Sequence, residues 1–197
     1  NLTLKGATLD NSAAISGVNA LTLAMNGAVR QQKAGSMLSG GALDLTAASV
    51  TNDGKIQGAT LGMTTGALTN SGRLQGDNGA TLSLSGGLIN QSSGEIVSRQ
   101  GLSLSTPVLS NYGLMQGGGE THLNATTRAL NDGKLLSGAG MTLTTAEYSG
   151  AGWLQATNLI LNAATATNDG NWLADSATLA GTRFTNQGTA QAGQLAV

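Results

Sequence analysis

Cysteine is absent from the chain, and aromatic and charged residues are scarce, at 3% and 10% of 197 residues. Without cysteine, disulfides and thiolate metal sites are excluded. A formal net charge of −1 offers no basic surface for nucleic acid, so no nucleic-acid partner is predicted. No apolar run approaches the ~18 residues of a membrane-spanning helix. Because leucine is plentiful, disorder is also disfavoured, and a folded chain of small residues remains.

Convergent titratable groups, which catalysis requires, are missing as well. The single histidine, His122, occupies the middle of "THL", and we expect it to face solvent. The aspartates are scattered, and the run Gly117–Gly119 lacks the lysine of a phosphate loop. The sequence therefore predicts no catalytic residue, no cofactor and no metal site, and a protein that is not an enzyme.

What the chain does contain is a repeat. "VTNDGKIQG" (Val50–Gly58), "LTNSGRLQG" (Leu68–Gly76) and "LNDGKLLSG" (Leu130–Gly138) share an asparagine, a glycine, one charged residue and one aliphatic residue in the same order. Aligned on the asparagine, the copies follow one another at 18 to 21 residues, with Gln31 and Gly150 as substitutes. An internal period of this length is typical of stacked repeat architectures.

Three further rows of residues recur with the asparagine. An apolar residue lies two positions before it, from Leu9 to Phe184, and an aliphatic pair such as Leu82/Leu84 completes the repeat. The row beyond the glycine is also apolar, and we assign to it Ile15, Leu38, Ile56, Leu74, Ile96, Met115, Leu135, Leu154, Trp172 and Ala190. By this register Tyr148, Trp172 and Phe184 should point inward, whereas Trp153 is a candidate for exposure.

Each repeat holds three short alternating segments separated by turn residues, which indicates strands. A repeat of ~20 residues cannot bury its own apolar face, so each strand must pair in parallel with its copy in the next repeat. The predicted fold is all-β, a parallel β-helix of about nine to ten coils and, at ~4.8 Å per coil, roughly 45 Å in length. The repeat fills residues 1–197, which we interpret as a single β-helix segment and a fragment of a much larger protein.

Stacking gives the asparagines a role. Copies ~4.8 Å apart can pass hydrogen bonds from amide to amide, as in an asparagine ladder, with members Asn11, Asn52, Asn70, Asn90, Asn111, Asn131, Asn168 and Asn186. Asparagine also tolerates a left-handed corner, and Gly72 is expected to supply backbone freedom. The alternative is that each asparagine is only an exposed turn residue.

One row should face outward, the residue after the glycine: Ala14, Met37, Lys55, Arg73, Glu95, Leu114, Lys134, Trp153, Asn171 and Thr189. Glu95 can pair with Arg73 on the neighbouring coil. This row is either a solvated stripe, in which exposed pairs contribute only ~0–1 kcal/mol, or a recognition surface. In the second case we expect the contact residues to be Lys55, Arg73, Glu95, Lys134 and Trp153, together with the insertions at Arg30–Met37 and Gly117–Glu120.

The repeat resembles the filamentous-haemagglutinin repeats of exoproteins that Gram-negative bacteria export by two-partner secretion, including haemagglutinin adhesins and CdiA effectors of contact-dependent growth inhibition. Its best matches are "VTNDGKIQGATLGM" (Val50–Met63), "LTNSGRLQGDNGATLSL" (Leu68–Leu84) and "LINQSSGEIVSRQGLSLS" (Leu88–Ser105). The resemblance covers essentially the whole chain. It departs from the pattern at "RQQKAGSM" (Arg30–Met37), at Gly117–Gly119 and at Gly150.

This resemblance implies a right-handed β-helical filament, secreted through an outer-membrane transporter partner and displayed at the cell surface. Its expected partners are neighbouring β-helix segments and an outer-membrane protein or lipopolysaccharide on a target cell. The alternatives are a passive stalk of an adhesin or autotransporter, and a β-helical enzyme that acts on polysaccharides.

Overall fold

The computed structural model describes residues 1–197 and contains twenty strands and no helix. No segment forms a helix long and apolar enough to cross a bilayer. In chain order the strands are β1 Leu2–Gly6, β2 Leu9–Asn11, β3 Ala14–Gly17, β4 Ala20–Met25, β5 Ala28–Gln31, β6 Ser36–Ser39, β7 Ala42–Asn52, β8 Lys55–Asn70, β9 Arg73–Leu84, β10 Leu88–Asn90, β11 Glu95–Ser98, β12 Leu102–Asn111, β13 Leu114–Gly117, β14 Thr121–Asn131, β15 Lys134–Ser137, β16 Gly140–Gly150, β17 Trp153–Asn168, β18 Asn171–Ala180, β19 Arg183–Asn186 and β20 Thr189–Ala196.

All strand pairings are parallel and join successive copies of the repeat, so the chain is a β-solenoid of about ten turns. Each coil has three faces. The first face carries the aliphatic pairs, as in the pairing of Leu43 with Leu61. The second ends at the asparagine, and the third begins after the glycine, where Lys55 pairs with Arg73. The predicted fold class is confirmed.

The core runs along the axis of the solenoid. Alternate residues of most strands point inward, and forty buried apolar residues form one continuous cluster. Leu43, Leu61 and Leu102 are each at most 2% exposed. Because a single coil presents only a few of these side chains, the core exists only when coils stack.

Two details of the predicted register are wrong. Met37, which was expected to face outward, is fully buried and pairs with Ile15 and Ile56, while Leu38 is only partly buried. Ser36 takes the outward position instead. The corner within "RQQKAGSM" has four residues, 32–35, where the corner between Asn52 and Lys55 has two. The predicted register was one residue off here, and a slip of one residue reverses which side chains of a strand point inward.

The second error concerns the aliphatic pair Leu82/Leu84. The structure pairs Leu61 with Ala80 and Met63 with Leu82, so the row continues through Ala80 and Leu82. An irregularity in β9 between Gly76 and Gly79 adds one residue relative to β8, and the predicted pairing lies two residues beyond the observed one. An error of two residues in the predicted register leaves the same side chains pointing inward, so the burial pattern alone does not reveal it.

The asparagine side chains on the second face form hydrogen-bonded runs along the axis. Asn52 donates to Asn70, Asn70 to Asn90, Asn90 to Asn111 and Asn111 to Asn131, each Nδ2–Oδ1 distance being 2.8 Å. Asn11 donates to Gln31, and Asn168 to Asn186. Five asparagines from Asn52 to Asn131 are 0% exposed, whereas Asn186 is exposed. Buried amides can stay in an apolar core only when they are hydrogen-bonded in this way.

These runs break at the two substitutes. Gln31 makes no hydrogen bond to Asn52, whose buried Oδ1 has no partner. At Gly150 there is no side chain to receive the Asn131 amide, which donates instead to the carbonyl of Trp153 at 2.9 Å. Glutamine therefore accepts a hydrogen bond from the asparagine of the preceding coil but does not pass one on to the next, and glycine does neither.

An aromatic pair fills the core beside the break at Gly150. Tyr148 and Trp172 are buried and meet edge to face, with ring centroids 5.5 Å apart. Tyr148 fits because its neighbours in the row above and below are Ala129 and Ala166. Both aromatics point inward as predicted, while Phe184 is only partly buried. Burial raises the pKa of the Tyr148 hydroxyl to about 12.

The repeated glycine has a different role from the predicted one. No residue other than glycine has a positive φ, so the asparagine corner is not left-handed, and Gly72 and Gly113 are not in that region either. Instead, a Cβ on Gly113 would lie well inside 3.0 Å of the carbonyl oxygen of Gly94, one coil away. The same contact with the preceding glycine recurs at Gly72, Gly133, Gly152, Gly170 and Gly188. Glycine is therefore required because consecutive backbones touch at this corner.

Candidate contact surface

The outward row lies on the third face, as one straight line of side chains. The strand register places Lys55, Arg73, Glu95, Leu114, Lys134 and Trp153 on six consecutive coils. Lys55, Arg73, Lys134 and Trp153 are exposed, and Glu95 is partly exposed. The five residues singled out from the sequence therefore share one surface, with Leu114 between the charged trio and Lys134.

The charged end of this row belongs to a network of side-chain contacts. Arg73 forms an ion pair with Glu95 and donates through Nε to Gln75 at 2.8 Å. Gln75 and Gln57 donate to the carboxylate of Asp77 at 2.6 and 3.1 Å, and Arg99 approaches it at 3.5 Å. Sequence reasoning missed Gln57, Gln75 and Asp77, although "KIQG" and "RLQG" place the two glutamines side by side.

The same contacts alter the acidity of Asp77. Hydrogen bonds from Gln75 and then Gln57 lower the pKa of Asp77 below its ordinary value of 3.8; partial burial opposes them, and the charges of Arg99 and Lys55 add to the lowering. Because the folded pKa lies below the unfolded pKa, the ionised Asp77 stabilises the fold above about pH 4, and this stabilisation is lost as pH falls through the folded pKa.

Replacing Asp77 by asparagine should therefore change how stability responds to acid. At neutral pH we expect the Asp77→Asn variant to melt a few degrees below the original chain. The carboxylate accepts one glutamine donor on each oxygen, whereas an asparagine would turn its NH2 group toward one of them. The difference should shrink as pH falls below about 4. Melting temperatures recorded by circular dichroism from pH 7 to pH 2 would measure it.

Asp175→Asn serves as the control for that experiment, because Asp175 is exposed and its side chain makes no hydrogen bond. Its melting curve should follow that of the original chain at every pH. If the Asp77 variant also followed the original chain at every pH, the network would have no measurable effect on stability.

A groove runs alongside the row, over four coils and with a volume of about 660 Å³. Its floor is the backbone of the stacked glycines Gly94, Gly113, Gly133 and Gly152. One wall is the corner that precedes the glycines. The other is the outward row from Glu95 to Trp153, together with Gln116 and Leu136 two residues further along the same strands. The groove exists because the glycine row carries no side chains, so the repeat that holds the coils together also shapes the surface.

Two exposed aromatic rings line this groove. Tyr112, on the corner wall, is 41% exposed, and Trp153, on the row, is 44% exposed. They lie two coils apart, about 10 Å along the axis. The groove also reaches Ser92 and Ser93, in a second four-residue corner at 91–94. Sequence reasoning identified Trp153 but missed Tyr112 and the serines, because corner residues vary without a pattern.

The remaining chemistry-bearing residues lie apart from this surface. His122 is exposed on the first face, between Ser103 and Thr142 of the neighbouring coils. At the predicted insertion Gly117–Glu120, the Glu120 carboxylate accepts a hydrogen bond from the backbone of Gly140 at 3.2 Å. No group of three or more His, Asp or Glu side chains is close enough to hold a metal ion.

Comparison with known proteins identifies relatives that are much longer. Toxin CdiA of Escherichia coli is 48% identical over 192 residues, 96% of this chain. The 16S rRNA endonuclease CdiA of Enterobacter cloacae is 46% identical over 88% of the chain, and the deoxyribonuclease CdiA of Dickeya dadantii 32% over 98%. No protein-family model matches the chain, and no solved structure does.

The chain spans only about 5–6% of the length of these curated relatives. The alignments nevertheless cover 88–98% of this chain, and so include the repeats that suggested the resemblance. The chain is therefore homologous to one segment of CdiA exoproteins of the filamentous-haemagglutinin type.

Proposed function

We propose that this chain is a rod segment of a secreted cell-surface exoprotein, and that its outward row contacts a receptor in the outer membrane of a target cell. The observation that carries the proposal is the row itself. In a chain with 10% charged residues, one outward row contains Lys55, Arg73, Glu95, Lys134 and Trp153. A groove runs beside the part of this row from Glu95 to Trp153.

The names of the relatives support delivery, rather than catalysis, as the role of this segment. One relative is named for 16S rRNA and another for DNA, yet this chain matches both along most of its length. A segment common to proteins with different named substrates does not determine the substrate. We infer that the chain itself has no enzymatic activity, binds no cofactor and has no nucleic-acid partner.

The proposed partners follow from this placement. Neighbouring β-helix segments of the same larger exoprotein would continue the stack, and an outer-membrane transporter would export it to the surface of a Gram-negative cell. The receptor would be an outer-membrane protein or lipopolysaccharide. Relatives in Escherichia, Enterobacter and Dickeya are consistent with that setting.

Retention of outer membranes on the immobilised chain tests the proposal. We expect the chain to retain outer-membrane vesicles, and retention to fall at least about tenfold when the charged trio is removed, the loss that 1.4 kcal/mol of contact energy would produce. The variant carries Lys55→Ala, Arg73→Ala and Glu95→Ala.

A matched variant carries three substitutions in the outward row of the first face: Asp44→Ala, His122→Ala and Thr142→Ala. This variant should retain vesicles like the original chain. If the original chain retained no vesicles, or if all three proteins retained them equally, the row would not be a receptor contact, and a passive stalk would be the better description.

A further inference from the structure

The floor of the groove is closed to an added strand. Its backbone groups are already used between coils: Lys134 and Trp153 donate to the carbonyls of Gly113 and Gly133, each at 2.8 Å, and the amide of Gly152 donates to Asn131 at 2.9 Å. An extended peptide binds a sheet through free backbone groups at its edge. Since the floor lies inside the stack and is not a sheet edge, a ligand is held by the side chains that line the groove.

Those walls combine aromatic rings with short polar groups. Tyr112 and Trp153 are amphipathic, with flat apolar faces and one hydrogen-bond donor each. Between and beside them lie Ser92, Gln116 and Asp132, which supply donors and acceptors. Asp132 uses one oxygen to accept from the amide of Ala151 at 3.0 Å, which fixes the carboxylate at the wall. Flat apolar side chains beside hydrogen-bond donors and acceptors suit the apolar face and the hydroxyl groups of a sugar ring.

The charges of the groove nearly cancel. Asp132 and Lys134 come from the same coil and have opposite signs, and Glu95 is already paired with Arg73. A ligand rich in phosphate would need several unpaired cations, and the groove offers only Lys134. The surface therefore favours an uncharged ligand.

We infer that this groove binds a neutral saccharide chain, such as the outer sugars of a cell-surface lipopolysaccharide. The sugar rings stack on Tyr112 and Trp153, and their hydroxyls bond to Ser92, Gln116 and Asp132. This inference rests on the proposed receptor contact and specifies the chemistry of the part of the row that borders the groove, from Glu95 to Trp153. The two aromatic residues are separated by about 10 Å along the axis, across two coils, which matches an oligosaccharide better than a single sugar.

The chain offers a direct optical probe of this binding. It has two tryptophans; Trp153 lies in the groove and Trp172 is 6% exposed in the core. Adding the neutral polysaccharide part of lipopolysaccharide, freed from its lipid, should therefore change only the fluorescence emission of Trp153. It should also protect Trp153 from quenching by acrylamide. We expect Tyr112→Ala and Trp153→Ala to weaken polysaccharide binding, measured by calorimetry, at least about tenfold, and Trp153→Phe to keep most of it.

Ile160→Ala is the matched control, because Ile160 is 41% exposed on the first face and away from the groove. Binding by this variant should equal that of the original chain, and affinity should change little between low and high salt, since the ligand is uncharged. Affinity that the aromatic substitutions leave unchanged, or that collapses as salt is raised, would overturn the inference.

Competition separates this inference from the function on which it rests. If vesicles are retained and free polysaccharide displaces them, both stand. If vesicles are retained, but free polysaccharide neither binds to the chain nor displaces them, the saccharide inference is overturned and a protein receptor is indicated. Loss of all vesicle retention would instead overturn the receptor contact.

Discussion

Replacing Asn90 by alanine should lower the free energy of unfolding by about 2–3 kcal/mol. Asn90 is 0% exposed, accepts a hydrogen bond from Asn70 and donates to Asn111 at 2.8 Å and to the carbonyl of Leu114 at 3.1 Å. The substitution leaves the Asn111 oxygen without its donor, and an orphaned buried group costs about 1–3 kcal/mol. In a domain of this size the loss corresponds to a decrease in melting temperature of roughly 4–12 °C.

Asn186→Ala is the control for this experiment, because Asn186 occupies the same row but is exposed. Its loss should lower the melting temperature much less, since water replaces the missing amide. Thermal unfolding followed by circular dichroism measures both variants. An unchanged melting temperature for Asn90→Ala would show that the hydrogen-bonded asparagines do not stabilise the stack.

Replacing Gly113 by alanine should be at least as damaging. Its added Cβ would meet the carbonyl oxygens of Gly94 and Gln91, both well inside 3.0 Å. Both are backbone atoms of the preceding coil, so relief requires the coils to separate and to lose hydrogen bonds such as Leu114 N to Gly94 O at 2.9 Å. Overpacking costs about 1–3 kcal/mol, and we expect Gly113→Ala at the upper end of that range because both contacts are to backbone.

Gly87→Ala distinguishes this steric effect from a general cost of replacing glycine. A Cβ on Gly87 would make only ordinary contacts, at 3.6 and 3.9 Å to Val108. We expect that variant to melt within a few degrees of the original chain, or slightly above it, because alanine restricts the unfolded chain. Equal losses in the two variants, measured by urea unfolding, would contradict a close-stacking role for the glycine row.

The repeat made the fold predictable, because three rows in constant order can be satisfied only by stacked coils. The Asn–Gly spacing and the apolar rows placed Leu68, Asn70 and Leu74 on the faces where the structure has them. Periodicity failed only where residues are added, as at Met37 and Ala80. Alternation has a period of two, so it cannot specify where an added residue is accommodated.

The candidate surface was predictable only in part, for a different reason. Lys55, Arg73 and Glu95 recur at a fixed place in the repeat, so their alignment follows from the register. Tyr112 and Asp77 stand where the repeat leaves the residue free, and their contacts depend on the coil above or below. The function of the glycine also escaped sequence reasoning, because the contact of Gly113 with Gly94 joins residues one full coil apart.

Cysteine cross-linking tests the stacking register, on which the outward row and the groove both depend. The chain has no cysteine, so an introduced pair is the only source of a disulfide. Lys55 and Arg73 are neighbours in adjacent coils, with Cα atoms about 4.8 Å apart, a distance that a disulfide spans. Lys55 and Glu95 are two coils and about 10 Å apart, which is too far.

The stack therefore predicts that Lys55→Cys with Arg73→Cys oxidises to an intramolecular disulfide in the folded chain, and that Lys55→Cys with Glu95→Cys does not. Free thiols counted by mass after mild oxidation report the result. Closure of the second pair, or failure of the first in a chain that circular dichroism shows to be folded, would contradict the stacked solenoid and the surface built on it.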